Sequence, residues 1–241
     1  MIRDSVAMRG AATSADDPIV AVRGVSRIYS QGRGAVAALT EVTFDAYPGA
    51  LVAITGRSGS GKTTLLNLIG GLDTPTTGTI LVGGRDVTRL TERERTVLRR
   101  HTVAFIFQSF ALLPTLSALE NVALALHIAG VGARERARRA REALRMVGLG
   151  ARFDHRPFEL SGGEQERVAV ARALATGAPL ILADEPTGEL DTATGREIIG
   201  LITEVVRSRR ATMLVATHDP AVVAAADVAY RLADGILRRA E

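Results

Sequence analysis

The sequence predicts an α/β fold with a mostly parallel β-sheet core, an antiparallel β flank and a helical subdomain. Apolar runs of strand length recur along the chain, and several are continuous rather than alternating, as in strands that are buried on both faces of a sheet. Helical segments separate the later runs, which favours parallel strands. Turns separate the early runs and predict the antiparallel flank. Helices dominate from about residue 108 to residue 160, where we expect the subdomain.

The predicted elements cover most of the chain. The predicted strands are, in chain order, Ile19–Val25, Val42–Ala46, Leu51–Thr55, Thr79–Val82, Val103–Phe107, Leu180–Ala183, Thr212–Ala216 and Val228–Leu232. The predicted helices are Lys62–Gly70, Glu92–Arg100, Leu119–Ala129, Arg134–Val147, Gly162–Ala175, Thr192–Arg207 and Ala221–Ala225. Residues 1–18 are polar and lack the apolar region of a signal peptide, so we expect a disordered lead-in there and one domain over residues 19–241.

The composition is that of an ordinary globular protein, because 46% of the 241 residues are hydrophobic and 23% are charged. The formal net charge of +4 is a small excess, so we expect no nucleic-acid partner. The absence of cysteine excludes disulfides, thiolate metal sites and a cysteine nucleophile. No stretch reaches the roughly 18 apolar residues of a membrane-spanning helix. We therefore expect a cytoplasmic protein.

The helix predicted over Arg134–Val147 is rich in arginine. Apolar residues at helical spacing form one stripe, and the arginines form another face. Glu135 and Arg139, like Arg138 and Glu142, are spaced to pair at i,i+4. A solvated face of an amphipathic helix is favoured over a nucleic-acid patch.

Residues 56–63, Gly-Arg-Ser-Gly-Ser-Gly-Lys-Thr, fit the pattern G-x-x-x-x-G-K-[ST] at every fixed position. The loop follows a predicted strand and opens a predicted helix, which is the context that this motif requires. Its N–H groups and the helix N-terminus form an anion cradle. Lys62, the only lysine among 30 basic residues, is expected to reach the β- and γ-phosphates, and Thr63 to ligate Mg²⁺. The core is therefore predicted to be a P-loop NTPase. Its predicted nucleotide-binding loop residues are Gly56, Arg57, Ser58, Gly59, Ser60, Gly61, Lys62, Thr63 and Thr64.

Two acids, Asp184 and Glu185, end the continuous apolar run Leu180–Ala183. Ligands of open α/β sheets bind at the carboxyl ends of the strands. Asp184 suits a water-mediated magnesium contact, and Glu185 suits a base that polarises an attacking water. Helix capping is the alternative for acids at this position, but the loop around Lys62 favours the functional interpretation.

The helix predicted over Gly162–Ala175 begins with a distinctive run, Ser161, Gly162, Gly163 and Glu164. The local interpretation is a capping box, with Ser161 as N-cap and Glu164 at N3. It leaves two adjacent glycines unexplained, since glycine weakens a first helical turn. Exposed N–H groups without side chains are what a second phosphate site requires.

With these motifs in place, the sequence from Ile19 to Arg238 resembles the ATP-binding cassette (ABC) ATPases. The resemblance implies Mg²⁺-dependent ATP hydrolysis by an ATP-dependent homodimer. Ser161, Gly162, Gly163 and Glu164 match the signature motif that binds ATP held by the other subunit. The remaining implied roles are a magnesium-sensing glutamine at Gln108, a dimer-interface aspartate at Asp191, a γ-phosphate switch at His218 and an adenine-stacking aromatic at Tyr29. Strand-end packing is the alternative for Tyr29.

Two positions depart from the family pattern. Glu164 stands where glutamine is commoner, and Glu189 stands where asparagine is usual. Both place negative charge near a composite phosphate site, so we expect slower hydrolysis or weaker dimer closure.

The stretch from Gln108 to Leu116, followed by Glu120-Asn121-Val122, resembles the lipoprotein-release, macrolide-export and cell-division branch of the family. The resemblance implies that a separate membrane permease docks near Gln108–Leu116, and that the protein lies on the cytoplasmic face of the membrane. A regulatory or mechanical ATPase with a membrane partner is one alternative. A DNA-associated ABC ATPase is another, although such proteins usually carry long insertions between motifs.

Overall fold

The computed structural model describes residues 17–31, 34–188 and 190–240. The strands are β1 Val20–Gln31, β2 Gly34–Ala46, β3 Leu51–Thr55, β4 Thr77–Val82, β5 Arg85–Asp86, β6 Val103–Ile106, β7 Leu180–Asp184, β8 Thr212–Ala216, β9 Val228–Ala233 and β10 Ile236–Arg239. The helices are α1 Lys62–Ile69, α2 Glu92–His101, α3 Ala118–Ile128, α4 Ala133–Met146, α5 Gly162–Thr176, α6 Thr192–Arg209 and α7 Pro220–Ala225. None of the helices in the described residues is long and apolar enough to cross a membrane.

The central sheet has the strand order β10-β9-β3-β8-β7-β6. Its strands pair in parallel except β10, which runs antiparallel to β9. Ala216 at the end of β8 pairs with Ile54 of β3 on one side and with Asp184 of β7 on the other. The carboxyl ends of three strands therefore lie at one level, and the loops that follow them meet at one edge.

The central strands β3, β7 and β8 are buried on both faces, which explains their continuous apolar runs. Leu51 and Ala53 of β3 pack into one core cluster, and Val52 and Ile54 pack into the other. Helices α3 to α6 cover the first face, whereas α1, α2 and the antiparallel sheet cover the second. Side chains alternate across a strand, so a run buried on both faces is apolar throughout.

The antiparallel sheet has the order β2-β1-β4-β5. Between the pairs Arg27–Leu39 and Ile28–Ala37, Ala38 is an extra residue in β2, as in a β-bulge. A Cβ added to Gly61 would overlap the Ala38 carbonyl oxygen, and Gly61 has a φ of 103°. The bulge therefore presses against the Lys62 loop, and glycine is required at position 61.

The predicted fold class is confirmed, and the helix limits are within two residues of the prediction. The strand limits were wrong in the antiparallel sheet, where β1 continues to Gln31 and β2 begins at Gly34. The first half of β2 is exposed, and its sequence does not alternate between apolar and polar residues. The short strands β5 and β10 were missed for the same reason. Of the predicted lead-in, residues 1–16 lie outside the described residues.

Between residues 108 and 160 the described elements are α3, α4 and a short 3₁₀ turn. Helices α3, α4 and α5 pack on one another, and the subdomain limits at about 108 and 160 stay a prediction. On α4, the predicted pairs occur, with Arg138–Glu142 at 2.7 Å and Arg139–Glu135 at 2.7 Å. The arginine face of this helix is thus partly neutralised.

A polar network ties β1 to the loop before β4. Arg27 Nε and Nη2 each donate a hydrogen bond to the Asp73 carboxylate at 2.9 Å. The Tyr29 hydroxyl donates to the same carboxylate at 2.8 Å. The Thr74 N–H donates to the same group. Burial raises the pKa of Asp73, but the hydrogen bonds from Tyr29 and Thr74 and the charge of Arg27 outweigh it, and the net pKa is lowered.

Asp73→Asn should lower the melting temperature at neutral pH, because the ionised carboxylate accepts four hydrogen bonds. A folded-state pKa below the unfolded value stabilises the fold above the unfolded pKa, and this contribution is lost as the pH falls through the folded pKa. Melting curves of wild type and variant from pH 7 downwards should therefore converge in acid. Asp154→Asn, at an exposed position, is the control. A difference that is constant with pH would contradict this role.

Candidate functional site

A cavity of about 540 Å³ opens at the carboxyl edge of the central sheet. It is lined by Ala38, Gly56, Arg57, Ser58, Gly59, Gly61, Lys62, Thr63, Thr64, Gln108, Asp184, Glu185, Gly188 and His218. Ser60 lines an adjoining cavity. The structure thus brings together the residues of the glycine-rich loop, both acids, the glutamine and the histidine that the sequence singled out.

Lys62 is the first residue of α1 and is only 7% exposed. Its Nζ donates to the carbonyl oxygens of Gly56 at 2.9 Å and Arg57 at 3.2 Å. Glu185 Oε1 lies 3.4 Å away. The ammonium therefore stands at the positive end of a helix, where an anion is favoured.

Thr63 follows Lys62 and contacts the end of β7. Its hydroxyl donates to Asp184 Oδ2 at 2.7 Å. Burial raises the pKa of Asp184, the Thr63 hydrogen bond and Lys62 lower it, Glu185 raises it, and the net pKa is raised. A hydroxyl and a carboxylate side by side are hard oxygen donors of the kind that Mg²⁺ accepts. Among the described residues no cluster of three or more His, Cys, Asp or Glu forms a metal cage.

Glu185 lies between two partners. Its Oε1 faces Lys62, while Oε2 lies 2.8 Å from His218 Nδ1 and accepts the His218 backbone N–H at 3.3 Å. Its own N–H donates to Ala216. The backbone φ of Glu185 is 48°, a region costly for a residue with a side chain and maintained only where the surroundings hold it. The carboxylate is thus fixed beside Lys62.

Ser161 and Glu164 form the predicted capping box at the start of α5. Glu164 Oε2 accepts the Ser161 N–H at 2.9 Å, and Oε1 lies 3.0 Å from Arg152 Nε. The hydrogen bond from the Ser161 N–H is the main cause that lowers the pKa of Glu164. Burial raises this pKa, but Arg152 lowers it further, and the net pKa is lowered. The sequence did not single out Arg152, which lies in no motif. The Arg152 guanidinium therefore partly neutralises the charge of the Glu164 carboxylate at the start of α5.

The two signature glycines differ in their surroundings. A Cβ on Gly163 would lie 2.6 Å from Thr194 Cγ2, so this glycine lets α5 approach the first turn of α6. A Cβ on Gly162 would make only an ordinary contact, at 3.8 Å from Leu190 Cδ2. The sequence analysis assigned the same role to both glycines, but local packing explains why glycine is present only at position 163.

The residues Ser161–Glu164 do not line the Lys62 cavity of the same chain. Asp191 caps α6, accepting from the Ala193 and Thr194 N–H groups and, at 2.6 Å, from the Thr194 hydroxyl. It lines a smaller cavity together with Gly188 and His218. Glu189, the second departure from the family pattern, lies outside the described residues.

Tyr29 does not line the Lys62 cavity. The Arg27 guanidinium covers its ring at 4.4 Å, and its hydroxyl is bonded to Asp73. The neighbouring Ile28 pairs with Ala37, which lines the adjoining cavity. The contact of Tyr29 with adenine stays a prediction.

Comparisons with known proteins agree on one family. A family model described as ABC transporter matches residues 39–188. A lipoprotein-releasing system ATP-binding protein, LolD 2, of Caulobacter vibrioides is 46% identical over 221 residues, which are 92% of this chain and 97% of that protein. A macrolide export ATP-binding/permease protein, MacB 1/2, of Paracoccus denitrificans is 45% identical over 218 residues, but only 32% of its length is matched.

Solved structures give the same result. The dimeric structure of a post-hydrolysis state of the ATP-binding cassette MJ0796, bound to ADP and Pi, superposes with a TM-score of 0.86 at 41% identity. The match covers 92% of this chain and 98% of that one. The cbiO1 structure from Clostridium perfringens, part of the ABC transporter complex cbiONQ, matches with a TM-score of 0.83 at 27% identity and covers 92% and 88% of the two chains.

The two glycines give a matched pair of variants. Gly163→Ala should destabilise the fold by about 1–3 kcal/mol, because the added methyl would meet the Thr194 methyl group, and the hydroxyl of Thr194 is held by Asp191. Gly162→Ala should be neutral or stabilise slightly, because alanine favours helix and the site has room. Urea unfolding without nucleotide measures both. Equal effects of the two substitutions would contradict the packing role of Gly163.

Proposed function

The chain belongs to the ABC transporter family of ATP-binding cassettes, and we propose that it is a Mg²⁺-dependent ATPase that energises a separate membrane permease. The supporting observation is the convergence of the Lys62 ammonium, the Thr63–Asp184 pair and the Glu185–His218 pair on one cavity. These three features each supply one requirement of phosphoryl transfer: a positive charge against the phosphates, a place for a metal ion and a base held in position.

ATP is proposed to bind with its phosphates in the glycine-rich loop. The loop N–H groups and the start of α1 provide fixed positive dipoles, and Lys62 adds a full charge. Its ammonium is held by backbone carbonyls rather than exposed to water. Such a preorganised cation loses little freedom when it binds an anion.

Mg²⁺ fits the donors present, because the Thr63 hydroxyl and the Asp184 carboxylate adjoin and Gln108 lines the same cavity. Two or three protein oxygens suffice, since Mg²⁺ usually takes its other ligands from phosphate and water. When bound, the ion neutralises charge on the phosphate oxygens. These three residues are the proposed ligands.

Glu185 is proposed as the general base and His218 as its positioning partner at the γ-phosphate. The carboxylate is fixed from both sides, so its orientation does not depend on substrate. General-base work of this kind contributes roughly 10²–10⁴-fold in rate. His218, with 74% of its side chain exposed, can also reach a ligand.

The second phosphate cradle, Ser161–Gly163, is proposed to act on ATP bound by another copy of the chain, with Asp191 at the interface. It lies outside the Lys62 cavity of its own chain, and the MJ0796 cassette forms a dimer. ATP then is a ligand shared by two subunits. Dimerisation should accordingly depend on ATP, since a ligand that binds only the dimer stabilises the dimer.

The permease is proposed to dock near Gln108–Leu116, which would place the protein on the cytoplasmic face of the membrane. Leu113 in this segment is 46% exposed, although it is apolar. Next to the segment, a cavity has apolar walls at Phe105, Phe107 and Ile128 and is also lined by three arginines, Arg99, Arg100 and Arg172. The names of LolD 2 and MacB support a transport role.

Glu185→Gln should accumulate an ATP-bound dimer, because ATP still binds but is hydrolysed roughly 10²–10⁴-fold more slowly. Gel filtration with ATP and Mg²⁺ should show a dimer for this variant and mostly monomer for the wild type. Glu142→Gln, an exposed acid on α4, should behave like the wild type. Hydrolysis at the wild-type rate by Glu185→Gln would place the base elsewhere.

A further inference from the structure

Arg172 of α5 reaches the segment that follows β6. Its Nη2 donates to the carbonyl oxygen of Phe110 at 2.8 Å, and its Nη1 donates to that of Ala111. These partners are 62 and 61 positions away in sequence. Burial lowers the pKa of Arg172, and the carboxylate of Glu166 on the same helix raises it. A desolvated guanidinium makes stronger hydrogen bonds than an exposed one.

The two accepting residues have an unusual backbone. Phe110 has a φ of 56° and Ala111 a φ of 47°, in the left-handed region that favours glycine. Neither is glycine, so the turn persists only because other contacts hold it. Arg172 supplies two of those contacts, one to each strained residue.

Asn121 of α3 holds the other end of the segment and is 3% exposed. Its side-chain oxygen accepts the Leu113 N–H at 2.8 Å. Its amide nitrogen donates to the carbonyls of Leu113, Leu116 and Ser117. Residues 110–117 are therefore fastened to α5 and α3, two helices that pack on each other.

Arg172 and Ser161 belong to the two ends of one structural unit. Ser161 caps α5, and Arg172 lies on that helix about 16 Å further along, at 1.5 Å per residue. We propose that Arg172 is a positioning residue that couples the segment Phe110–Leu113 to the signature cradle at Ser161. This inference rests on the proposed function, in which the segment contacts the permease and Ser161 contacts ATP in trans.

The coupling must act in both directions, because linkage between two sites is reciprocal. Closure of the dimer around ATP should therefore change the stability of the segment even without a permease. Amide hydrogen exchange reports this change directly, since the Phe110 and Leu113 N–H groups are hydrogen-bonded. The test then needs only the purified chain.

The experiment measures exchange of the Phe110–Leu113 amides in the Glu185→Gln chain, with and without ATP and Mg²⁺. In this parent, ATP should change the exchange rates of Phe110–Leu113 by about fivefold or more. Arg172→Gln in the same parent should still dimerise on gel filtration but should lose the ATP effect. Arg172→Lys keeps a donor and should retain part of it. The control is Arg167→Gln, which removes a guanidinium of α5 that contacts Val147 and Glu197 instead and should leave the ATP effect intact.

The outcomes are distinct. An unchanged ATP effect in a dimeric Arg172→Gln chain overturns the inference, as does a parent dimer in which ATP leaves the segment unaffected. If neither Arg172→Gln nor Arg172→Lys dimerises, the residue serves the fold in general and the inference is also overturned. A parent that forms no dimer with ATP contradicts the proposed function itself, before Arg172 is tested.

Discussion

The Lys62 ammonium is the contact on which the site depends, because it joins the loop after β3 to the acid after β7. It is held by the carbonyls of Gly56 and Arg57 and faces Glu185. The contact requires the ends of β3, β8 and β7 to be level, as the pairings of Ala216 make them. The sheet register thus sets the distance between Lys62 and Glu185, and a one-residue slip of β7 against β8 would move Glu185 away from Lys62.

The chain presents two proposed phosphate cradles that do not line one cavity. One is the loop at the start of α1, and the other is the start of α5 at Ser161. The capping box holds the Glu164 carboxylate at the Ser161 N–H, and the Arg152 guanidinium partly neutralises its charge. This arrangement accounts for a glutamate at a position where glutamine is commoner. A second copy of the chain is the simplest way to bring the two cradles together around one nucleotide.

The sequence was sufficient for features that depend on local pattern. The glycine-rich loop, the strand that ends in Asp184 and Glu185, and the Ser161 capping box are each contained in a few consecutive residues. Features that depend on distant contacts were not predictable: the bulge at Ala38, the close approach of Thr194 to Gly163, and the exposed first half of β2. Arg152 and Arg172 belong here too, because their partners are selected by tertiary packing and leave no periodic signal.

The central claim is that each ATP lies between two chains, and subunit mixing tests it most directly. A Lys62→Ala chain lacks the first cradle, and a Gly162→Asp chain places a repelling charge at the second, where the structure has room for a side chain. Each should be nearly inactive alone. Their mixture should regain ATPase activity, because one site of the mixed dimer combines the intact loop of one chain with the intact signature of the other. A mixture no more active than the two chains measured separately would contradict the account.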